Sequence, residues 1–409
     1  MKAVILSIGQ ELTSGQTVDT NSAWLSRKLG ERGIETIEHR TVADQRRQIA
    51  DAIAESVKKV DLLIVTGGLG PTEDDLTRFA LADVLGVELV VDAAAMEHME
   101  AFFRGRGWRM SESNRVQAMA PKGANMLPNL LGTAPGLACR IGAADVYVMP
   151  GVPYEMKDMY ARCVAPHLPA QRGAIIHHIL HTFGAGESNV GAAIADLMKR
   201  DSNPLVGTTV AGGMVSIRII SKASTADEAR ELANATARQV KERLGAFVVG
   251  EGDDTMASVV GGLLRRAGAT LSTAESCTGG MVGEMITAVP GSSEYYTGGV
   301  VAYANQVKMQ LLGVSEQMLV EHGAVSEPVA MQMAVGARER FNTTWAVSIT
   351  GVAGPGGGTE AKPVGLVYVG LAGKDCRLVE RLMIPGLRDI VRLRASLNAL
   401  NILRMRLIG

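Results

Sequence analysis

Short apolar runs separated by stretches of helical periodicity constrain this chain more than any other feature. Val4 to Ile8 and Asp61 to Thr66 are short runs of almost unbroken apolar character, the pattern of strands covered on both faces. Ile34 to Val42 reads as a further strand, and Ile49, Ile53, Val57 and Val60 recur on one helix face. Asp19 or Asn21 is placed to cap a helix that ends near Gly30 or Gly33. After a less regular middle, Val146 to Met149 makes a late strand. Pro150-Gly151-Val152-Pro153 then opens another helix, because proline suits a first helical turn. Strands alternating with helices in this way predict an α/β, doubly wound domain over residues 1–170.

The pattern changes over residues 171–250. An apolar-polar strand, a helix with Val190, Ile194 and Met198, a hairpin at Gly212-Gly213 and a charged helix from Thr225 to Leu244 predict a small α+β unit. Glu251-Gly252-Asp253-Asp254 reads as a linker. Residues 251–409 return to α/β order: a helix Thr255 to Arg266, then strands Ala269 to Thr273, Gly299 to Tyr303, Trp345 to Ile349 and Val364 to Leu371. A last helix from Leu387 carries Ile390, Leu393, Leu397, Leu400 and Leu403 on one stripe. With aromatics at only 4%, the cores of all three units must be aliphatic.

Charge and cysteine usage narrow the partners. Lys+Arg at 41 balance Asp+Glu at 42, so no broad basic field invites nucleic acid or an anionic membrane. Cys139, Cys163, Cys277 and Cys376 form no CxxC pair, which fits a reducing cytoplasm. No stretch reaches the roughly 18 apolar residues of a spanning helix, and Glu11 follows the first apolar run at once. A cytoplasmic protein, neither exported nor embedded in a membrane, is expected. A homodimer is expected because twofold assemblies are the commonest.

After the strand ending at Val65 comes Thr66-Gly67-Gly68-Leu69-Gly70-Pro71-Thr72-Glu73-Asp74-Asp75, then a helix. Strand, glycine turn and helix start together form an anion site, with backbone N–H groups aimed at phosphate. No Lys-Ser/Thr follows, so this is no Walker loop, and the dinucleotide GxGxxG is absent. Consecutive carboxylates beside phosphate suit a bridging divalent cation, and they equally suit a helix start. Glu11, Asp19 and Asn21 follow the first strand, where a doubly wound sheet opens its ligand crevice.

These residues, with Pro150-Gly151-Val152-Pro153-x-Glu155-Met156, resemble the molybdopterin-binding-like fold and, more closely, the N-terminal domain of the CinA family. The resemblance implies a metal-dependent ADP-ribose pyrophosphatase. Nucleotide contacts are then expected from Glu11, Asp19, Asn21, Gly67, Gly68, Gly70, Thr72, Pro150, Gly151 and Glu155. A divalent cation (Mg, Mn or Co) is expected on Asp74 and Asp75.

In the middle unit His177 and His181, four apart on a strand, share a face, but no third metal ligand is evident. The order of elements resembles the KH-like unit of long CinA proteins. Nucleic acid is not expected as a partner, since residues 171–250 hold nine Lys or Arg against seven Asp or Glu and no basic stripe.

The most specific segment is Ser272-Thr273-Ala274-Glu275-Ser276-Cys277-Thr278-Gly279-Gly280, a strand-to-helix turn. A serine there needs a base, and His322 is the only histidine in the last domain. Lys308 is the candidate, because burial lowers a lysine's pKa, and Tyr303 can orient it or relay the proton. Cys277 is the rival nucleophile but lacks a histidine partner. Pro290-Gly291-Ser292-Ser293 and the run Thr350-Gly351-Val352-Ala353-Gly354-Pro355-Gly356-Gly357-Gly358 can cradle phosphate or ribose. Arg388 is placed to pair with a phosphate.

TAESCTGG, VPGSS, GGVVAYAN with Lys308, HGAVSE, TGVAGPGGG, KPVGLVYVG and Gly386-Leu387-Arg388 resemble, in order, the CinA C-terminal domain, the nicotinamide-nucleotide amidase family. The resemblance implies hydrolysis of nicotinamide mononucleotide to nicotinic acid mononucleotide and ammonia, with no cofactor in this domain. It implies Ser276 as nucleophile, assisted by Lys308 and Tyr303, with Ser293 as the alternative serine. Thr278, Gly279, Gly280, Ser293, Thr350, Gly351 and Arg388 are expected at the substrate. The alternatives are a non-catalytic nucleotide-binding or regulatory protein and a molybdopterin-related enzyme.

Overall fold

The computed structural model describes residues 1–168 and 173–409. The expected boundary between residues 170 and 171 lies outside the described residues. The chain divides into two compact units, Met1–His177 with Ile220–Asn234, and His178–Ile219 with Ala235–Gly409.

The first unit contains the strands β1 (Lys2–Ile8), β2 (Glu35–Val42), β3 (Leu62–Thr66), β4 (Leu89–Val91), β5 (Met119–Pro121), β6 (Asn125–Leu127), β7 (Gly136–Ile141) and β8 (Ala144–Met149). Six of them form one sheet of order β2-β1-β3-β8-β7-β6, while β4 and β5 pair apart from it. β1 runs parallel to β2 and β3, and β3 parallel to β8. β7 and β6 add an antiparallel edge. That edge was hidden in the irregular middle of the sequence, because its strands are short and carry no continuous apolar run.

Alternation along β1 serves two cores at once. Val4, Leu6 and Ile8 pack with Ile49, Ile53 and Leu81, and Ala3 and Ile5 pack with Leu25, Leu29, Met156 and Met159. The helices Arg46–Ser56 and Thr77–Leu85 therefore cover one face, and Thr20–Gly30 and Pro153–Met159 the other. Each such buried Leu, Ile or Met contributes about 1.5–3 kcal/mol. The chain goes from β1 to β2 on one side and returns to β3 on the other, so the strand order reverses at β1. A crevice opens there beyond the carboxyl ends of β1 and β3.

The middle strands β9 (Ala174–Thr182), β10 (Leu205–Ala211), β11 (Met214–Ala223) and β12 (Val248–Glu251) form a sheet of order β10-β11-β9-β12, with the helix Ala226–Leu244 before the last strand. Glu251 is no linker residue. It closes β12 opposite Leu180, and the Gly252 N–H donates to the Ile179 carbonyl at 2.9 Å. The acidic run is thus a turn built onto this sheet.

Beyond it, β13 (Leu271–Glu275), β14 (Tyr296–Val301), β15 (Trp345–Gly351), β16 (Leu366–Ala372) and β17 (Arg377–Met383) lie in the order β14-β13-β15-β16-β17. β13 is parallel to both neighbours, and β16 and β17 are antiparallel additions. The helices Met256–Ala267 and Arg388–Ile408 fill one face with residues such as Val260, Leu264, Val391 and Leu400. Val329, Met333 and Ala337 of the helix Glu327–Phe341 join Leu312 on the other. β17 was not expected, because its sequence alternates charges with apolar residues as an edge strand does. The whole is mixed α/β, with a doubly wound N-terminal sheet, a small α+β middle and a C-terminal α/β sheet.

Candidate functional site

Two concentrations of polar side chains stand at strand ends, one in each unit. In the second unit β13 is buried along its whole length and ends on Glu275, only 2% exposed. The Glu275 carboxylate accepts from the N–H groups of Gly280 and Val282 at 3.1 Å and of Gly283 at 2.9 Å. It therefore fills the start of the helix Met281–Thr287 and pins the turn between. Ser276, at the head of that turn, donates its own N–H to the Ile349 carbonyl at 2.9 Å.

Lys308, on the helix Asn305–Leu312, is 1% exposed. Its Nζ lies 3.2 Å from Ser276 Oγ, 2.8 Å from the Ala302 carbonyl and 3.2 Å from the Tyr303 carbonyl. No ion pair joins it to a carboxylate among the described residues. Burial pushes the Lys308 ammonium below its ordinary value, opposed only by the nearby Cys277. Nζ donates to both carbonyls and to Ser276 Oγ; with two N–H bonds on the carbonyls, the neutral form of the amine would direct its lone pair at Ser276. Ala302 is held in turn by its N–H on the Glu275 carbonyl at 2.7 Å, so Ser276 and Lys308 share one backbone frame.

Several expected contacts are rearranged. Tyr303 meets Lys308 through its carbonyl, because β14 ends at Val301 and the phenol swings out to 63% exposure. Its hydroxyl instead lies 3.3 Å from Arg388, whose other nitrogen donates to the Gly354 carbonyl at 2.7 Å. Thr350 and Gly351 end β15; the buried Thr350 hydroxyl donates to the Ala324 carbonyl at 2.7 Å. Thr278, Gly279 and Gly280 form the turn itself.

Ser293 is not brought beside Ser276. It precedes β14, whose Tyr296 pairs with Leu271, whereas Ser276 follows the other end of β13. The length of β13 separates the serines, about 17 Å at about 3.3 Å per residue. Cys277 also loses its claim: burial pushes its thiol up to about 11, so the thiolate is scarce.

In the first unit a cavity of about 540 Å³ opens beyond β1 and β3, lined by Glu11, Asp44, Gly67, Gly68, Gly70, Thr72, Asp74, Asp75, Pro150, Gly151 and Glu155 among others. The backbone at Gly67 and Gly68 has φ of 101° and 64°. A Cβ there would meet the Ile8 carbonyl or the Thr77 hydroxyl at 2.2 Å, so only glycine permits this turn. Asp75 closes the loop: its carboxylate accepts from the N–H groups of Gly70 at 2.7 Å and Thr72 at 2.9 Å. Asp74 stays exposed and accepts from the Thr72 hydroxyl.

Asp19 and Asn21 line a smaller lobe that shares Glu11 and Gly151 with the main cavity. The Asp19 carboxylate caps the helix Thr20–Gly30 through the Ser22 N–H at 2.9 Å and also accepts from the hydroxyls of Ser22 and Ser7. Burial raises its pKa, but these hydrogen bonds outweigh that and leave it below the ordinary value. Asn21 donates to the Gly151 carbonyl at 2.7 Å and lines a 120 Å³ lobe with Glu11 and Thr66. Glu155 accepts from Asn129 at 2.6 Å, and Asn129 takes the N–H groups of Leu131 and Gly132. Glu155 thus holds the loop that forms the cavity's far wall.

Sequence reasoning missed Asp44, Arg78, Glu275 and Arg392. Asp44 accepts from the Gln10 N–H at 2.6 Å; burial first, then the charges of Glu11, Asp74 and Asp75, push its carboxyl up. Its signal was its place just past the end of β2. Arg78, 1% exposed, donates to the carbonyls of Leu69, Val116 and Met119 beneath the glycine loop, and burial lowers it to about 10. Arg392 sits four residues after Arg388, one helical turn on the same face, and donates to the Thr278 carbonyl at 2.8 Å. Among the described residues no group of three or more His, Cys, Asp or Glu is arranged to hold a metal ion. His178 instead pairs with Glu251 at 2.9 Å, and His181 bonds Ser216 and the Gly252 carbonyl.

Fold and sites together define a mixed α/β protein that joins a molybdopterin-binding-like domain to a second sheet bearing a buried serine–lysine pair. Residues 253–407 match the "CinA C-terminal domain", residues 4–170 the "Probable molybdopterin binding domain" and residues 177–250 the "Damage-inducible protein CinA KH domain". A CinA-like protein of Crocosphaera subtropica is 42% identical and one of Dictyoglomus thermophilum 38% identical, each over all of both chains. A solved structure of the competence/damage inducible protein CihA from Agrobacterium tumefaciens is 37% identical, with 38% of this chain and 94% of that one covered and a TM-score of 0.37. The chain belongs to the CinA family. No described helix is long and apolar enough to cross a membrane.

Proposed function

We propose that the C-terminal site hydrolyses the carboxamide of nicotinamide mononucleotide, giving nicotinic acid mononucleotide and ammonia. The observation that carries this reading is the buried Lys308 Nζ, 3.2 Å from Ser276 Oγ and depressed by desolvation. A serine in hydrogen-bond reach of a neutral lysine is an activated nucleophile.

Lys308 takes the proton of Ser276 as Oγ bonds to the carboxamide carbon, and the carbonyl π electrons move onto oxygen. The oxyanion then re-forms its double bond, the C–N bond breaks, and the Lys308 ammonium gives its proton to the departing nitrogen, which leaves as ammonia. Water next gives a proton to Lys308 while its oxygen attacks the acyl carbon. Collapse expels Ser276 Oγ, which recovers the proton from Lys308, and frees the carboxylic acid, whose own proton passes to solvent to leave the carboxylate. Arg388, held by Gly354 and Tyr303 and joined to no carboxylate among the described residues, suits the nucleotide phosphate.

The first unit is proposed to cleave ADP-ribose to AMP and ribose 5-phosphate. The glycine loop supplies N–H groups for the pyrophosphate. Asp44 and Asp74, which both line the cavity, would offer hard oxygen donors beside the pyrophosphate's own oxygens, and Asp44 is held high first by burial and then by the neighbouring charges that a divalent cation would offset. When bound, a cation would neutralise charge on the pyrophosphate. Asp75, committed to closing the loop, sets the loop's shape instead.

Incubation with each nucleotide and identification of the products tests both halves. Ammonia and nicotinic acid mononucleotide without added metal are expected from the first substrate, and AMP with added Mg, Mn or Co from the second. A protein that binds nicotinamide mononucleotide yet releases no ammonia would overturn the amidase reading.

A further inference from the structure

Five N–H groups of the turn that follows Ser276 are engaged. Ser276 N–H goes to Ile349, Gly279 N–H to the Ser276 carbonyl at 3.1 Å, and the Gly280, Val282 and Gly283 N–H groups to Glu275. Among the described residues, the Cys277 and Thr278 N–H groups donate to no carbonyl or carboxylate, and of the two the Cys277 N–H shares its peptide with the Ser276 carbonyl that Gly279 holds. Thr278 follows Cys277 fully buried, with a hydroxyl that has no partner. One carbonyl of the turn is gripped from outside: Thr278 O accepts from Arg392 Nη2 at 2.8 Å and Nε at 3.3 Å.

We propose that Arg392 is a positioning residue: by clamping the Thr278 carbonyl, against Glu275 on the other side of the turn, it fixes the Cys277 N–H as the donor that meets the oxyanion. The amide after a nucleophile on a strand-to-helix turn faces the attacked carbonyl oxygen once the turn is held in shape. Glu275 and Arg392 hold it from opposite ends of sequence, one from the strand before the turn and one from the last helix of the chain. The two-nitrogen grip fixes the Thr278–Gly279 peptide, whose N–H holds the Ser276 carbonyl and with it the plane of the Cys277 N–H. Without it, the turn is free to rotate the Cys277 N–H away, and the loss falls on the transition state, where the oxyanion exists, rather than on bound substrate.

This inference rests on Ser276 being the nucleophile, and the test separates the two. Arg392→Met and Arg392→Lys are compared with the intact protein on nicotinamide mononucleotide, with melting curves to confirm folding. The expected result for Arg392→Met is a kcat lower by about tenfold or more, a KM within about twofold and an unshifted pH profile, since removal of a whole oxyanion donor costs about 10²–10³ in kcat. Arg392→Lys restores only part of the loss. A raised KM with kcat unchanged would show instead that Arg392 binds the substrate phosphate and would overturn the proposal. Sulfonylation of Ser276 by phenylmethylsulfonyl fluoride, followed by mass spectrometry, reads the same turn without the natural substrate. If the intact protein is inactive on the nucleotide, the amidase reading fails, and slower labelling of Arg392→Met still supports the clamp. Equal labelling of the two proteins, or none of the intact one, contradicts it.

Discussion

At the scale of single residues, Lys308 and Cys277 show burial acting in opposite directions on two neighbours. Burial depresses an ammonium and raises a thiol, so the same dry pocket favours the neutral lysine that the proposed mechanism needs and withholds the thiolate. The active form of Lys308 is neutral. As pH rises through its lowered pKa the neutral fraction grows, so kcat/KM should climb with pH and level off below the free-lysine value of 10.5; a profile that falls over this range contradicts the assignment. Lys308→Met should reduce kcat by about 10²–10⁴, the usual worth of a positioned base. Cys277→Ala should keep activity within a few-fold, measured as ammonia release, since the thiol takes no part. The sequence already marked Ser276 and Lys308, because a serine in a strand-to-helix turn and a lysine at a second such junction are local patterns. It could not show which atom of Tyr303 faces Lys308, since that depends on where β14 stops.

At the scale of elements, the glycine loop after β3 rests on a charge that no local pattern reveals. Arg78 looks like any helical arginine, yet it is buried and ties Leu69 to Val116 and Met119. Arg78→Met leaves these carbonyls without a donor. At about 1–3 kcal/mol for an unsatisfied buried group, a loss of about 2–4 kcal/mol is expected, visible as a lower urea midpoint at unchanged slope. An unchanged midpoint would show that water replaces the guanidinium. The parallel strands β1 and β3 were legible because burial on both faces writes continuous apolar runs. β6, β7 and β17 were not, because edge strands are short or alternate with charge, and their pairing is decided by the sheet they join. The distance of Ser293 from Ser276 was hidden for a related reason: a Gly-Ser turn looks the same at either end of a strand, and only register places it.

At the scale of the whole molecule, the two candidate sites stand in separate units with separate chemistry, one acidic and glycine-rich, the other built on a buried amine. They should therefore fail independently. Chelation of divalent ions, or Asp44→Asn, should abolish AMP formation from ADP-ribose while ammonia release from nicotinamide mononucleotide persists; joint loss would show that one unit depends on the other. The central claim is that Ser276, activated by Lys308, is the nucleophile of a nucleotide amidase. It is tested most directly by following ammonia from nicotinamide mononucleotide, without added metal, for the intact protein, Ser276→Ala and Ser293→Ala side by side. The account predicts turnover by the intact protein and by Ser293→Ala and none by Ser276→Ala; an active Ser276→Ala, or an intact protein that releases no ammonia, would contradict it.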